Sequence, residues 1–118
     1  MDVKKYCVYE NYTIKEVLER FESSNDRVAI VVNDSDKVIG VVSQGDILRA
    51  LSAGQSLFVQ VSQIIRGSFL HLYEKNLEEA YQIFKKKKIS LLPVIDRENQ
   101  LTDVITLGDI FDYLEERI

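Results

Sequence analysis

Val38-Ile39-Gly40-Val41-Val42-Ser43-Gln44-Gly45-Asp46-Ile47-Leu48-Arg49-Ala50-Leu51 is written a second time, altered, as Leu101-Thr102-Asp103-Val104-Ile105-Thr106-Leu107-Gly108-Asp109-Ile110-Phe111-Asp112-Tyr113-Leu114. The offset is 63 residues, and it persists outward: Thr13 to Leu51 lies over Asn76 to Leu114 without a gap, with eight of 39 pairs identical. Physical type is kept in the same register where identity is not, as in Val28/Leu91, Val32/Ile95, Asn33/Asp96, Val42/Ile105 and Ser43/Thr106. An internal repeat of this length predicts one supersecondary unit built twice.

Each copy reads as strand, helix, strand, strand, helix. In the first, Tyr6 to Tyr9 is a short β-branched and aromatic run. Thr13-Ile14-Lys15-Glu16 then has the hydroxyl-x-x-carboxylate spacing that satisfies free amides at a helix start. Ile14, Val17, Leu18 and Phe21 recur at helical spacing, and Ser23 to Asp26 ends the helix. Val28 to Val32 is a continuous apolar run, as a strand covered on both faces requires. Asn33 to Lys37 is turn chemistry, so Val38 to Val42 returns as the second arm of a hairpin. A second helix opens at Ser43 to Asp46 and stops near Gly54. The later copy predicts a strand at Phe69 to Leu72, a helix from an Asn76 cap with Leu77, Ala80, Tyr81 and Phe84 inward, strands at Leu91 to Ile95 and Leu101 to Ile105, and a helix from Gly108 to about Arg117. Gln55 to Arg66 is a connector with one short amphipathic turn around Val61, Ile64 and Ile65.

The domain division is 1–62 for the first repeat with its connector and 63–118 for the second. A unit of about 60 residues buries only about 60% of its unfolded surface, so the halves are expected to pack on each other. The expected fold class is α+β: two pseudo-twofold-related β-α-β-β-α repeats packed sheet to sheet, with a crevice on each side.

Composition narrows the function. Of 118 residues 46% are hydrophobic and 29% charged, values of a globular chain, and no apolar run approaches the about 18 residues that span a bilayer. Fifteen basic against nineteen acidic side chains give a net charge of -4, which speaks against a general nucleic-acid binder such as a DNA-binding domain. One cysteine, Cys7, rules out an internal disulfide, and with no secretion-signal pattern at the N-terminus a cytoplasmic setting is expected.

Catalytic machinery is scarce. His71 is the single histidine, and no phosphate-binding glycine loop, zinc spacing or hydrolase elbow occurs, so no catalytic residue, metal site or required cofactor is assigned. His71 reads as a packed or surface residue and Cys7 as a small buried hydrophobe. Lys85 to Lys88 closes a helix, where cations suit the negative end of the macrodipole, with a phosphate contact as the alternative. The two strand-to-helix junctions admit two readings. Ser43 to Asp46 and Thr106 to Asp109 are capping devices by spacing. The same geometry suits a nucleotide, because a hydroxyl beside free amides can hold a phosphate while a carboxylate one turn on accepts hydrogen bonds from ribose hydroxyls.

Two units of this order, with Ile89-Ser90-Leu91-Leu92-Pro93-Val94-Ile95-Asp96 before the hairpin and Val104-Ile105-Thr106-Leu107-Gly108-Asp109-Ile110 after it, resemble a tandem pair of cystathionine-β-synthase-type (CBS) domains, a Bateman module. The resemblance covers about Tyr6 to Glu116. It implies a non-catalytic regulatory module that binds an adenosine nucleotide, AMP, ADP or ATP, in crevices assembled crosswise from the two repeats. Carried onto this chain, one site combines Ser43 for phosphate and Asp46 for ribose with Ile89, Ser90, Leu91, Leu92 and Pro93 around the base. The other combines Thr106 and Asp109 with Asp26, Arg27, Val28, Ala29 and Ile30. Gly40 and Pro93 match the family pattern, whereas Asp103 and Ile30 depart from it, so the Ser43/Asp46 site is favoured and the Thr106/Asp109 site is doubtful. Arg49 and Arg66 are candidate phosphate cations, with solvated surface as the alternative. The resemblance further implies a homodimer paired through helices into a disc of four repeats. It also implies an attached or partner protein that receives the signal. Ser43 to Leu51 resembles the type linked to sugar nucleotidyltransferases, and the 118 residues suit the regulatory piece of a longer protein. A structural or dimerisation module with vestigial ligand pockets is the alternative from another class.

Overall fold

The computed structural model describes residues 3–65 and 67–117, and the chain divides into two compact units, Asp2–Phe69 and Leu70–Ile118. In the first, a single 3-10 turn at Val3–Tyr6 leads into β1 (Cys7–Tyr9). Thr13 then caps α1 (Ile14–Ser24): its hydroxyl accepts from the Glu16 N–H at 3.1 Å, and Glu16 Oε1 accepts from the Thr13 N–H at 2.9 Å. The helix ends where Asn25 turns left-handed at φ 60°, a conformation asparagine tolerates better than most residues. Ile14, Val17 and Phe21 are its buried stripe.

β2 (Val28–Val32) is the centre of a three-stranded sheet, parallel to β1 and antiparallel to β3 (Val38–Ser43). That position explains its unbroken apolar run, whereas β3 alternates buried and half-buried residues. Asn33 builds the turn between them, its side-chain oxygen accepting from the N–H groups of Ser35 at 2.9 Å and Lys37 at 3.0 Å. α2 (Gln44–Ser52) follows, and Gly54 at φ +96° closes it with its N–H on the Leu51 carbonyl. The connector folds back on this unit. Val61, fully buried, donates its N–H to the Tyr12 carbonyl at 2.7 Å and joins the core of Val8, Ile14, Val17, Val31, Val42 and Ile47.

The second unit repeats the plan with α3 (Leu77–Lys86), β4 (Leu91–Ile95), β5 (Leu101–Thr106) and α4 (Leu107–Glu116). Asn76 caps α3, and Asp96 takes the turn-building role of Asn33, accepting from the N–H groups of Glu98 and Gln100 at 2.9 Å each. Even the irregularities recur, since the hairpin register shifts between Val31 and Val32 and again between Val94 and Ile95. Its own core gathers Leu72, Ala80, Leu92, Val94, Ile105 and Ile110. The fold is thus α+β, with two small sheets and four α-helices among the described residues, in the expected order except for the first strand of the second repeat.

The expected strand at Phe69 to Leu72 is a correction. Only a single parallel bridge, Leu72 to Val94, forms there, with the Leu72 N–H on the Pro93 carbonyl at 3.0 Å and the Ile95 N–H on the Leu72 carbonyl at 2.9 Å. In that ladder the next bond would be donated by the nitrogen of residue 93, and proline has no N–H to give. Ile30 stands at this position in the first repeat, and there β1 runs for three residues. Two smaller corrections follow from local chemistry. α4 begins at Leu107 rather than Gly108 because Thr106 is the cap, and Cys7 is half-buried, its Sγ 3.5 Å from the Val3 carbonyl, rather than enclosed.

Candidate functional site

The end of β3 delivers Ser43 in extended conformation, φ -111° and ψ 163°, at the point where α2 begins. Its Oγ accepts from the Asp46 N–H at 3.1 Å, while Asp46 Oδ2 accepts from the Ser43 N–H at 2.8 Å and from Ser43 Oγ at 2.9 Å. Asp46 Oδ1 accepts from Arg49 Nη2 at 2.6 Å. Burial pushes the Asp46 carboxyl upward, but the Ser43 amide and hydroxyl and the Arg49 guanidinium together outweigh it and hold the pKa below the ordinary value. The carboxylate is therefore ionised at neutral pH. At the end of β5 the arrangement recurs: Thr106 Oγ1 accepts from the Asp109 N–H at 3.2 Å, and Asp109 Oδ2 accepts from the Thr106 N–H at 2.8 Å.

Within each unit the segment before the hairpin lies beside the helix start. The Gln44 N–H donates to the Arg27 carbonyl at 2.9 Å, and the equivalent Leu107 N–H donates to the Ser90 carbonyl at 3.2 Å. The first unit thus gathers Asp26, Arg27, Val28, Ala29 and Ile30 next to Ser43 and Asp46. The second gathers Ile89, Ser90, Leu91, Leu92 and Pro93 next to Thr106 and Asp109. Ala29, Ile30, Leu91 and Leu92 anchor these segments in their cores, leaving Asp26, Arg27 and Ser90 exposed at the surface. Asp26 and Arg27 also line an open depression of about 460 Å³ with Leu18, Phe21, Glu22, Asn25 and Gln44.

Asp103, which departs from the family's glycine, is not a bare charge. Its Oδ2 lies 3.5 Å from Lys75 Nζ, and its Oδ1 accepts from the Val104 N–H at 2.8 Å. Sequence reasoning missed Lys75 because nothing local joins it to Asp103; the cross-sheet row Leu72, Val94, Asp103 brings them together. His71 stands edge-on to the Tyr73 ring at 5.1 Å, and Arg97 stacks over the same ring at 3.9 Å, a packed surface cluster. Lys85 lies over Tyr81 at 5.2 Å. Arg66 falls outside the described residues. Among the described residues no three His, Cys, Asp or Glu side chains gather to hold a metal, and no helix is long and apolar enough to cross a membrane.

Two copies of one α+β unit, each placing a hydroxyl and an aspartate at a strand-to-helix junction, define a tandem-repeat module. The CBS domain profile matches residues 1–53 and 69–116, and the chain belongs to the CBS-domain family. Pairs of this domain are typically regulatory modules rather than catalysts. A CBS domain pair/ACT domain protein from Thermotoga maritima is 27% identical, with 100% of this chain and 99% of that one covered and a TM-score of 0.77. A CBS domain protein from Pyrobaculum aerophilum, solved in complex with AMP, is 21% identical over 93% of this chain and 90% of its own, with a TM-score of 0.74. Inosine-5'-monophosphate dehydrogenase from Nitrosopumilus maritimus (strain SCM1) is 27% identical over 105 residues, 89% of this chain and 21% of that protein. The chain spans only 26% of the length of the first curated relatives it matches.

Proposed function

We propose that this chain is a non-catalytic regulatory module that binds an adenosine nucleotide and passes its ligand state to an attached or partner protein. The observation that carries the reading is the twofold recurrence of an aspartate locked to a hydroxyl at a helix start, at the ends of β3 and β5. Crystal complexes of relatives with AMP support that ligand, and the inosine-5'-monophosphate dehydrogenase relative supports attachment to an enzyme. The favoured site takes Ser43 for phosphate, Asp46 for ribose and Ile89 to Pro93 around the base. The second takes Thr106 and Asp109 with Asp26 to Ile30. ATP and ADP are alternative ligands, a sugar nucleotidyltransferase is the proposed attached enzyme, and the cytoplasm is the proposed compartment. At about -0.3 kcal/mol per heavy atom, a ligand of some twenty atoms gains roughly -6 to -7 kcal/mol, a dissociation constant of about ten micromolar, suited to sensing a metabolite.

Calorimetric titration with AMP, ADP, ATP and S-adenosylmethionine tests this. Asp46→Ala is expected to weaken nucleotide binding by about 1–3 kcal/mol through lost hydrogen bonds, with Asp109→Ala weaker in effect. One observation favours a second reading. Both Asp46 oxygens are already satisfied by the protein, as a purely capping aspartate requires. No heat from any of the four ligands, together with a stable dimer, would favour that structural reading.

A further inference from the structure

Arg49 does not run out into solvent along its helix. Nη2 lies 2.6 Å from Asp46 Oδ1. A methyl group placed on Gly45 would meet Arg49 Nη1 at 3.4 Å, Ser43 Oγ at 3.7 Å and Arg49 Nη2 at 3.8 Å. The guanidinium is therefore folded back toward the first turn of α2, within 3.8 Å of the same point beside Gly45 that the Ser43 hydroxyl approaches at 3.7 Å. That end of a helix repels a cation, so Arg49 is held there against the macrodipole by the Asp46 carboxylate.

The pair competes for the group that the nucleotide reading needs. Oδ2 of Asp46 already accepts from the Ser43 amide and hydroxyl, and Oδ1 accepts from Arg49. Two ribose hydroxyls cannot reach the carboxylate until the guanidinium gives up Oδ1. The other repeat has no such occupant. Asp112 stands where Arg49 stands in the first, a methyl on Gly108 would meet only Thr106 Oγ1 within 4 Å, and among the described residues no cation pairs with Asp109.

The geometry points to Arg49 as the residue that makes the Ser43/Asp46 site select phosphorylated nucleosides: it occupies Asp46 while the site is free and transfers to the phosphate when ribose takes the carboxylate. This rests on the nucleotide reading and adds selectivity to it. A nucleoside must break the ion pair and leave Arg49 without an anion. A nucleotide exchanges one anionic partner for another, and the guanidinium already lies at the helix start that Ser43, the residue assigned to the phosphate, caps. Both side chains are well exposed, 72% for Arg49 and 38% for Asp46, so the pair is weak enough to exchange reversibly.

The test uses the intact chain and Arg49→Gln, with adenosine and AMP as probes in calorimetry. A carbon-detected NMR titration of the Asp46 carboxyl without ligand accompanies it. Arg49→Gln should raise the Asp46 pKa in the free protein, weaken AMP about tenfold, and leave adenosine unchanged or up to about fivefold tighter. An AMP-to-adenosine ratio that survives the substitution, or equal weakening of both ligands, overturns the role of Arg49 and leaves nucleotide binding standing. An Asp46 titration that does not move shows that the pair is not formed and overturns it as well. If the unaltered protein binds neither probe at millimolar concentration, the nucleotide reading itself falls and takes this inference with it.

Discussion

Asp46 and Ser43 show how one residue pair serves folding and ligand chemistry at once. The capping bonds fix the carboxylate at the helix start, where it is ionised and half exposed. Removing the cap hydroxyl in Ser43→Ala is expected to cost about 1 kcal/mol in urea unfolding, with Thr106→Ala costing a similar amount in the other repeat. Because the folded Asp46 pKa is lowered, its contribution to stability is complete above the unfolded value of 3.8 and is lost as pH falls through the folded value. Asp46→Asn should accordingly flatten the loss of stability between pH 4 and more acidic solution, measured by urea unfolding across that range. A variant whose acid profile matches that of the unaltered chain would show that the pair does not form.

At the scale of elements, the first strand of the second repeat is set by one atom. Pro93 lacks the donor that the ladder toward Leu70 requires, so pairing stops at Leu72. Pro93→Val is expected to lengthen that strand, seen as a new protected amide at position 93 in hydrogen exchange. Absence of protection there would mean that another constraint ends the strand. The helices of this repeat are tied differently: Tyr113 on α4 donates to Glu78 Oε2 on α3 at 2.5 Å. That bond lowers the Glu78 pKa and raises that of Tyr113. Its contribution fades on acidification as Glu78 protonates below its ordinary value of 4.5, and on alkalinisation as Tyr113 ionises above its ordinary 10.0. Tyr113→Phe should return the Glu78 titration upward, and an unmoved titration would show the bond to be absent in solution.

For the whole molecule, the exposed apolar residues carry the repeat's signature. Leu48 on α2 and Phe111 on α4 occupy equivalent positions and are 58% and 57% exposed. Exposed apolar residues at matching positions of equivalent helices suit the pairing of two copies that the family resemblance implies, since such groups gain by leaving water. The double change Leu48→Glu with Phe111→Glu is expected to convert a dimer to monomer in sedimentation without loss of helical signal. A dimer that persists would place the contact elsewhere on the chain. If the unaltered chain is already monomeric, the homodimer proposal fails.

The repeat, the helix caps, the hairpin turns and the order of elements were legible in the sequence because each rests on bonds between residues two to four apart, or on the period of apolar side chains. The hydroxyl and aspartate of each junction were legible for the same reason. Three features waited for the tertiary structure. Pro93 is plain in the sequence, but only the register shows that its nitrogen faces the segment before Leu72, toward Leu70, rather than β5. Lys75 and Asp103 meet because a sheet brings distant segments side by side, and Arg49 turns back onto Asp46 although its spacing permitted open solvent equally well. Local hydrogen bonds and hydrophobic periodicity are properties of short stretches of chain, whereas the partner of a charge or of a strand edge depends on which segments folding has placed next to it.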